Sequence, residues 1–242
     1  MGGEPTGRLR FTGRKKAAEG GCLIQGSFFG KRESIGRKAV REVMNGRQRH
    51  WPKNMRYGEE EMDSKDERMD IYDGEKQRTG RVVPRSSFLQ AGEYMLYVLA
   101  LIERPSDWRF LITQRALTKK WAAGAWEVSG GGALASEDSF AAVTREVREE
   151  TGLDISAVPA AMRTPIYGYR NEDLKRGDNY FVDIYHVKME FADADVTIEQ
   201  SEAIDFRMAT MDEIRVLHEA DAFLHYQRIQ EALAAEKNAQ QA

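Results

Sequence analysis

Residues 131–153 read Gly131-Gly132-Ala133-Leu134-Ala135-Ser136-Glu137-Asp138-Ser139-Phe140-Ala141-Ala142-Val143-Thr144-Arg145-Glu146-Val147-Arg148-Glu149-Glu150-Thr151-Gly152-Leu153. The spacing predicts a helix over Ser136 to Thr151, closed by Gly152, which can take the left-handed conformation at a helix end. At about 100° per residue, Glu146, Glu149 and Glu150 fall within an arc of roughly 100°. Phe140, Val143 and Val147 fill the adjoining arc, the stripe that packs on a sheet. Three carboxylates therefore line the border between core and solvent. Like charges one turn apart cost a helix about 0.2–0.5 kcal/mol per pair. Partial burial raises this, since two charges about 4 Å apart repel by roughly 4 kcal/mol at an effective dielectric near 20. A hard divalent cation relieves the repulsion: Mg²⁺ prefers carboxylate oxygen and takes other ligands from substrate phosphates. Arg145, one turn before Glu149, can hold that carboxylate through paired N–H donors. The glycines at 130–132 let backbone approach closely where a Cβ would obstruct it.

A glutamate-rich helix face with arginine neighbours is often only a solvated surface. The full pattern is more demanding. It runs Gly131, five residues, Glu137, seven residues, then Arg145-Glu146-Val147, Glu149-Glu150 and Gly152-Leu153. Seven fixed residues and two aliphatic positions coincide by chance on the order of once in a billion start sites.

Outward from this stretch, strands and helices alternate. Met69 to Tyr72 is a short strand candidate before the turn Asp73-Gly74. Tyr94 to Ile102, rich in Leu, Val and Tyr, reads as a buried strand. Arg109 to Arg115 alternates as a half-exposed strand should. Trp126-Glu127-Val128 is a short strand running into the glycines. Arg163 to Tyr169 and Tyr180 to Met189 read as further strands, Asp212 to His218 and Ala222 to Ala235 as helices. This order suits an α/β protein, a sheet sandwiched between helices.

Residues 1–65 lack any sustained period of 2 or 3.6. Within residues 1–57, 14 Lys/Arg face 4 Asp/Glu, whereas the remainder holds 22 basic and 35 acidic residues, so the net charge of −3 hides two unlike regions. We expect 1–65 to be a basic extension, disordered for want of apolar groups to offset the ordering entropy, or absent from the native protein if translation begins at Met62 or Met69. A nucleic-acid-binding arm is the weaker alternative. Residues 66–242 are then the domain that carries the carboxylate helix. No apolar run approaches the ~18–20 residues of a membrane-spanning helix, and Arg8, Arg10, Arg14, Lys15 and Lys16 interrupt any leader-like stretch. The single cysteine, Cys22, excludes an internal disulfide and a thiolate zinc site and agrees with a reducing cytoplasm. Four unpaired histidines argue against a histidine-based metal site.

At every defined position, Gly131 to Leu153 resembles the signature box of the Nudix hydrolase superfamily, and a looser likeness extends over residues 67 to 214. Asp70-Ile71-Tyr72-Asp73, Gly80-Arg81, Gly92-Glu93-Tyr94 and Gln114-Arg115 resemble the subgroup of type I isopentenyl-diphosphate isomerase. Glu202-Ala203-Ile204-Asp205 and Met211-Asp212-Glu213-Ile214 look like the family's closing strand and helix. The resemblance implies a Nudix-type α/β/α sandwich with a mixed β-sheet. It also implies hydrolysis, with Mg²⁺ or Mn²⁺ as cofactor, of a diphosphate linkage in a nucleoside diphosphate derivative or related organic diphosphate. Carried onto matching positions, Glu146, Glu149 and Glu150 are the metal ligands, with the Gly130 carbonyl as a further one. Arg145 orients Glu149, Glu137 supports the loop, and Glu146 or a downstream carboxylate accepts the proton of the attacking water. Glu202 is a candidate extra ligand or base.

Two rival functions compete with hydrolysis. The isomerase needs a cysteine just before its box and then Gly-His-Pro. Here those positions hold Gly130, Gly132 and Ala133, which leaves carbon chemistry without a proton donor. A silent metabolite-binding domain would tend to lose box glutamates, and none is lost. For substrate contacts, Trp108, Trp121, Trp126, Tyr167 and Tyr169 are candidate stacking groups that are each more ordinary as core. Lys119, Lys120, Arg170, Lys175 and Arg176 are candidate phosphate contacts. The expected partner is a small-molecule diphosphate, not a membrane or nucleic acid, with a homodimer left open.

Overall fold

The computed structural model describes residues 67–241; the readings made for residues 1–65 lie outside them. Strands β1 (Arg68–Tyr72) and β2 (Arg78–Pro84) form an antiparallel hairpin. The main sheet is built from β3 (Met95–Arg104), β4 (Arg109–Arg115), β5 (Trp126–Glu127), β6 (Ser129–Gly132), β7 (Tyr167–Asn171), β8 (Tyr180–Lys188) and β9 (Ala203–Ala209). Helix α1 spans Ser139–Thr151, α2 Met211–Glu219 and α3 Tyr226–Gln241. No helix among the described residues is long and apolar enough to cross a membrane.

β3 is the centre of the sheet. It pairs in parallel with β8 from Met95↔Tyr180 to Glu103↔Lys188. Its other edge is shared, with β6 antiparallel along Tyr97–Ala100 and β4 joined only at Glu103 and Arg104. β4 then carries β5 and β9 away from that edge. Leu96, Val98, Ala100 and Ile102 join α1 in one core layer, with Val143 and Val147 fully buried. Leu99 and Leu101 face the opposite layer, with Ile214 and Leu217 of α2 and Ile229 and Ala232 of α3. The result is the expected α/β/α sandwich around a mixed sheet. A strand covered on both faces is apolar at successive positions, which explains β3.

Several boundaries differ from the sequence reading. Arg109–Arg115 is not half-exposed: Phe110, Leu111, Ile112 and Thr113 are all buried, because both faces of β4 are covered. The glycines after Val128 are themselves a strand, paired with β3. The helix begins at Ser139 because Ser136 is left-handed (φ 73°) and Asp138 caps the helix, accepting the Ala141 N–H at 2.7 Å. Gly152 ends it as expected, at φ 73° with its N–H on the Arg148 carbonyl. The strand expected over Arg163–Tyr169 begins only at Tyr167. Ala160–Arg163 is a 3₁₀ turn after Pro159, and Pro165 has no N–H to offer a ladder. The last helix starts four residues late, since residues 222–224 are held by the edge of β5: Trp126 N–H donates to the Ala222 carbonyl and Leu224 N–H to the Trp126 carbonyl.

Candidate functional site

The hub of the site is Arg145. Its Nε and Nη2 donate to the two carboxylate oxygens of Glu137 at 2.8 and 3.0 Å, and Nη2 also to the Gly132 carbonyl at 2.8 Å. Its Nη1 donates to Glu146 Oε1 and Glu149 Oε2, both at 3.0 Å. One guanidinium thus ties three box carboxylates to the glycine strand. Glu137 also accepts the Leu134 N–H at 2.8 Å, closing the loop ahead of α1. Against the opposing effect of burial, Arg145 and that N–H hold the Glu137 carboxyl below the usual carboxylate range.

Glu146 lies against β6. A methyl at Gly130 would collide with the Val98 carbonyl, so close approach requires that glycine, and one at Gly131 would displace the Glu146 carboxylate. Burial pushes the Glu146 carboxyl up to about 7, despite the opposing charges of Arg145 and, at the end of β2, Arg85. Glu150 turns inward and accepts the Gly130 N–H at 3.1 Å. Its proton affinity is raised well above normal, first by burial and then by the charges of Glu146, Glu127 and Glu202. Glu149 is exposed, held through Arg145.

The structure brings together Gly130, Glu137, Arg145, Glu146, Glu149 and Glu150, and it adds two carboxylates from other strands. Glu202, raised in the sequence as an extra ligand, sits close enough to bear on Glu150, its own charge met by Lys119 at 2.5 Å. Glu127, which the sequence reading passed over, is paired with Arg115 at 2.6 Å, and burial raises its proton affinity. The only signal for it was strand alternation: Trp126 points into the core, so its neighbour must point to the other side. Among the described residues no three His, Cys, Asp or Glu side chains are already drawn together at ion-holding distances, since Arg145 and the Gly130 N–H occupy the box carboxylates. The donor chemistry is nonetheless uniform. Carboxylate and carbonyl oxygens suit a hard divalent ion, and buried carboxylates that resist ionising alone are those a cation would stabilise.

A stability prediction follows from Glu146. In the folded chain it keeps a proton that the unfolded chain gives up near 4.5, so its contribution is present at low pH and lost as pH rises through about 7. In EDTA, Glu146→Gln should therefore gain stability relative to wild type between pH 5 and pH 8, by roughly 3 kcal/mol. Excess Mg²⁺ at pH 8 should close that gap. Paired thermal melts across pH measure it, and a wild-type-minus-variant difference that is flat with pH would contradict it.

The proposed contact residues scatter. Trp108 is 71% exposed in the β3–β4 turn, at the opposite end of β3 from the glycines, and Trp126 is core. Trp121 is exposed, with Arg115 over its ring. Arg170 lies over Tyr94, while Lys120, Lys175 and Arg176 are surface groups. Tyr169 is better placed. Tyr97, Val182 and Tyr169 are neighbours across β3, β8 and β7, with Tyr180 at 5.4 Å from Tyr97 and Gly132 opposite Tyr97 on β6. Arg228 of α3 stacks over Tyr169 at 4.4 Å and Arg85 over Tyr97 at 5.4 Å. Tyr167 instead bonds Glu231.

A family model described as NUDIX domain matches residues 93–231. An uncharacterized Nudix hydrolase of Listeria monocytogenes is 28% identical over 163 residues, covering 66% of this chain and 89% of that protein. Among solved structures, DR0079 from Deinococcus radiodurans aligns with a TM-score of 0.50 at 18% identity, over 64% of this chain and 90% of that one. A MutT protein from Methanosarcina mazei Go1 aligns at 0.47 and 23% identity, over 60% and 95%. The DR0079 likeness is one of fold.

Proposed function

The chain belongs to the Nudix family and is a Nudix-type hydrolase, and from that premise we propose that it hydrolyses the diphosphate linkage of a nucleoside diphosphate derivative with Mg²⁺ or Mn²⁺ as cofactor. The observation that carries the reading is the inward-facing Glu150, set among Glu146, Glu127 and Glu202 with its proton affinity raised by burial and by their charge. Such a group has little structural use and much use as a ligand.

In this reading Glu146, Glu149, Glu150 and the Gly130 carbonyl hold the ion. Bound there, a divalent cation lowers the pKa of water and neutralises charge developing on the bridging phosphate oxygen. Arg145 holds Glu146 and Glu149 on one guanidinium nitrogen and so aims them, and Glu137 fixes Arg145 in turn. Glu146 or Glu202 accepts the proton of the attacking water; Glu127, raised in proton affinity beside Arg115, joins them as a candidate. The tyrosines at 97, 180 and 169, with Arg85 over the first ring and Arg228 over the last, offer an aromatic and cationic surface suited to a nucleobase rather than a prenyl chain. A cytoplasmic location belongs to the same reading, on the single cysteine.

The test is a screen of diphosphate compounds with Mg²⁺ and with Mn²⁺, reading released phosphate species by mass spectrometry. We expect a nucleoside monophosphate among the products and no turnover in EDTA. Turnover that is unchanged in EDTA, or confined to compounds without a diphosphate, would overturn the proposal.

A further inference from the structure

We propose that the β1–β2 hairpin, which precedes the matched segment 93–231, is a positioning element of the metal centre, acting through Asp70 and Arg78. The inference rests on the metal-dependent reading above. Three contacts tie the hairpin to the loop before α1. Ser136 N–H donates to Asp70 Oδ2 at 2.8 Å, Ala135 N–H donates to the Arg68 carbonyl at 2.8 Å, and Arg78 Nη2 donates to the Glu137 carbonyl. Asp70 is buried, and the Oδ2 that accepts the loop N–H also forms an ion pair with Arg78 Nε at 3.2 Å, while that Nε donates its hydrogen bond to the Tyr72 hydroxyl at 3.2 Å.

The loop needs such an anchor. Ser136 is left-handed, a conformation unfavourable for a residue with a Cβ. The next residue, Glu137, is the one whose carboxylate receives two N–H groups of Arg145. Arg145 then reaches Glu146 and Glu149. A continuous series of hydrogen bonds therefore runs from Arg78 and Asp70, through the backbone of residues 136–137, to two box carboxylates. Outer partners of this kind orient the groups that touch an ion.

Docking of the hairpin as such does not depend on these contacts. Tyr72 exchanges two backbone hydrogen bonds with Tyr94, Lys76 bonds buried Asp183 at 2.5 Å, and Arg81 pairs with Glu93. Met69 and Ile71 pack with Leu89 and Met95. Asp70 and Arg78 are thus separable from the hairpin's own stability.

The experiment measures Mn²⁺ binding to the full chain by electron paramagnetic resonance, with thermal melts alongside. Arg78→Gln and Asp70→Asn should each raise the Mn²⁺ Kd about tenfold, as loss of an outer-sphere partner does. Arg78→Lys should recover part of the affinity. Arg81→Gln, in the same hairpin but away from the loop, should stay within about twofold of wild type, since it touches no group of the series. Should Arg78→Gln fail to fold, Asp70→Asn, nearly identical in shape, serves in its place. An unchanged Kd in Arg78→Gln and Asp70→Asn, or an equal loss in Arg81→Gln, overturns the positioning role while leaving the metal reading intact. A wild-type chain that binds no Mn²⁺ removes both.

Discussion

Glu150→Gln is expected to lower Mg²⁺-dependent turnover by about a thousandfold, the upper end of what one preorganised electrostatic partner is worth. Glutamine keeps the size of the side chain and still offers an oxygen to the Gly130 N–H, so the bond at 3.1 Å is retained. What disappears is the negative charge, the one property a hard cation needs from this position. The fold should not suffer. In the wild-type chain the half-buried Glu150 carboxyl has the charges of Glu146, Glu127 and Glu202 bearing on it. A neutral glutamine avoids the cost of ionising a carboxyl there, so the metal-free variant should melt at or above the wild-type temperature. Mg²⁺ should raise the melting temperature of wild type more than that of the variant, because binding to the native state alone stabilises it. Steady-state rates with the best substrate of the screen, together with melts in EDTA and Mg²⁺, measure both effects. Undiminished turnover in Glu150→Gln would end the proposed mechanism.

Arg145→Gln should behave in the opposite way, costing stability as well as rate. Arg145 and Glu137 are each about one-fifth exposed on their side chains and Glu146 less, so these are not surface pairs. Without the guanidinium, Glu137 and Glu146 face each other's charge uncompensated. Breaking a buried pair by removing one partner costs about 3 kcal/mol at the lower end of its range, appropriate here because both carboxyls can take up protons. For a chain of this size that is roughly 6–12 °C in Tm. Turnover should fall by about ten- to a hundredfold, since the residue orients ligands without being one. Excess Mg²⁺ should restore part of the lost stability, supplying positive charge where the guanidinium stood. A change in Tm below about 2 °C would show that the three carboxylates do not depend on Arg145.

The box was legible because its information is local. A period of 3.6 places Glu146, Glu149 and Glu150 beside Val143 and Val147 whatever the rest of the chain does. Gly152 marked the helix end because few residues tolerate φ near 73°. The buried run of β3 was equally plain. The strand expected over Arg163–Tyr169 is cut short because Pro165 has no N–H to offer a ladder, a local rule that outranks the apolar run around it. Arg109–Arg115 misled because alternation suggests one wet face, and only packing shows that both faces of β4 are dry.

Residue order alone determined the helix, its apolar stripe, and the three carboxylates along that stripe's border with Arg145 one turn before Glu149. It could not say that Glu150 turns inward, that Glu127 and Glu202 arrive beside it from β5 and from the residue before β9, or that Asp70 reaches across 66 positions to hold Ser136. Those facts depend on which strands share an edge of β3. That sharing is decided by burial of the whole sheet between two helical layers, a collective property that no short window of sequence carries.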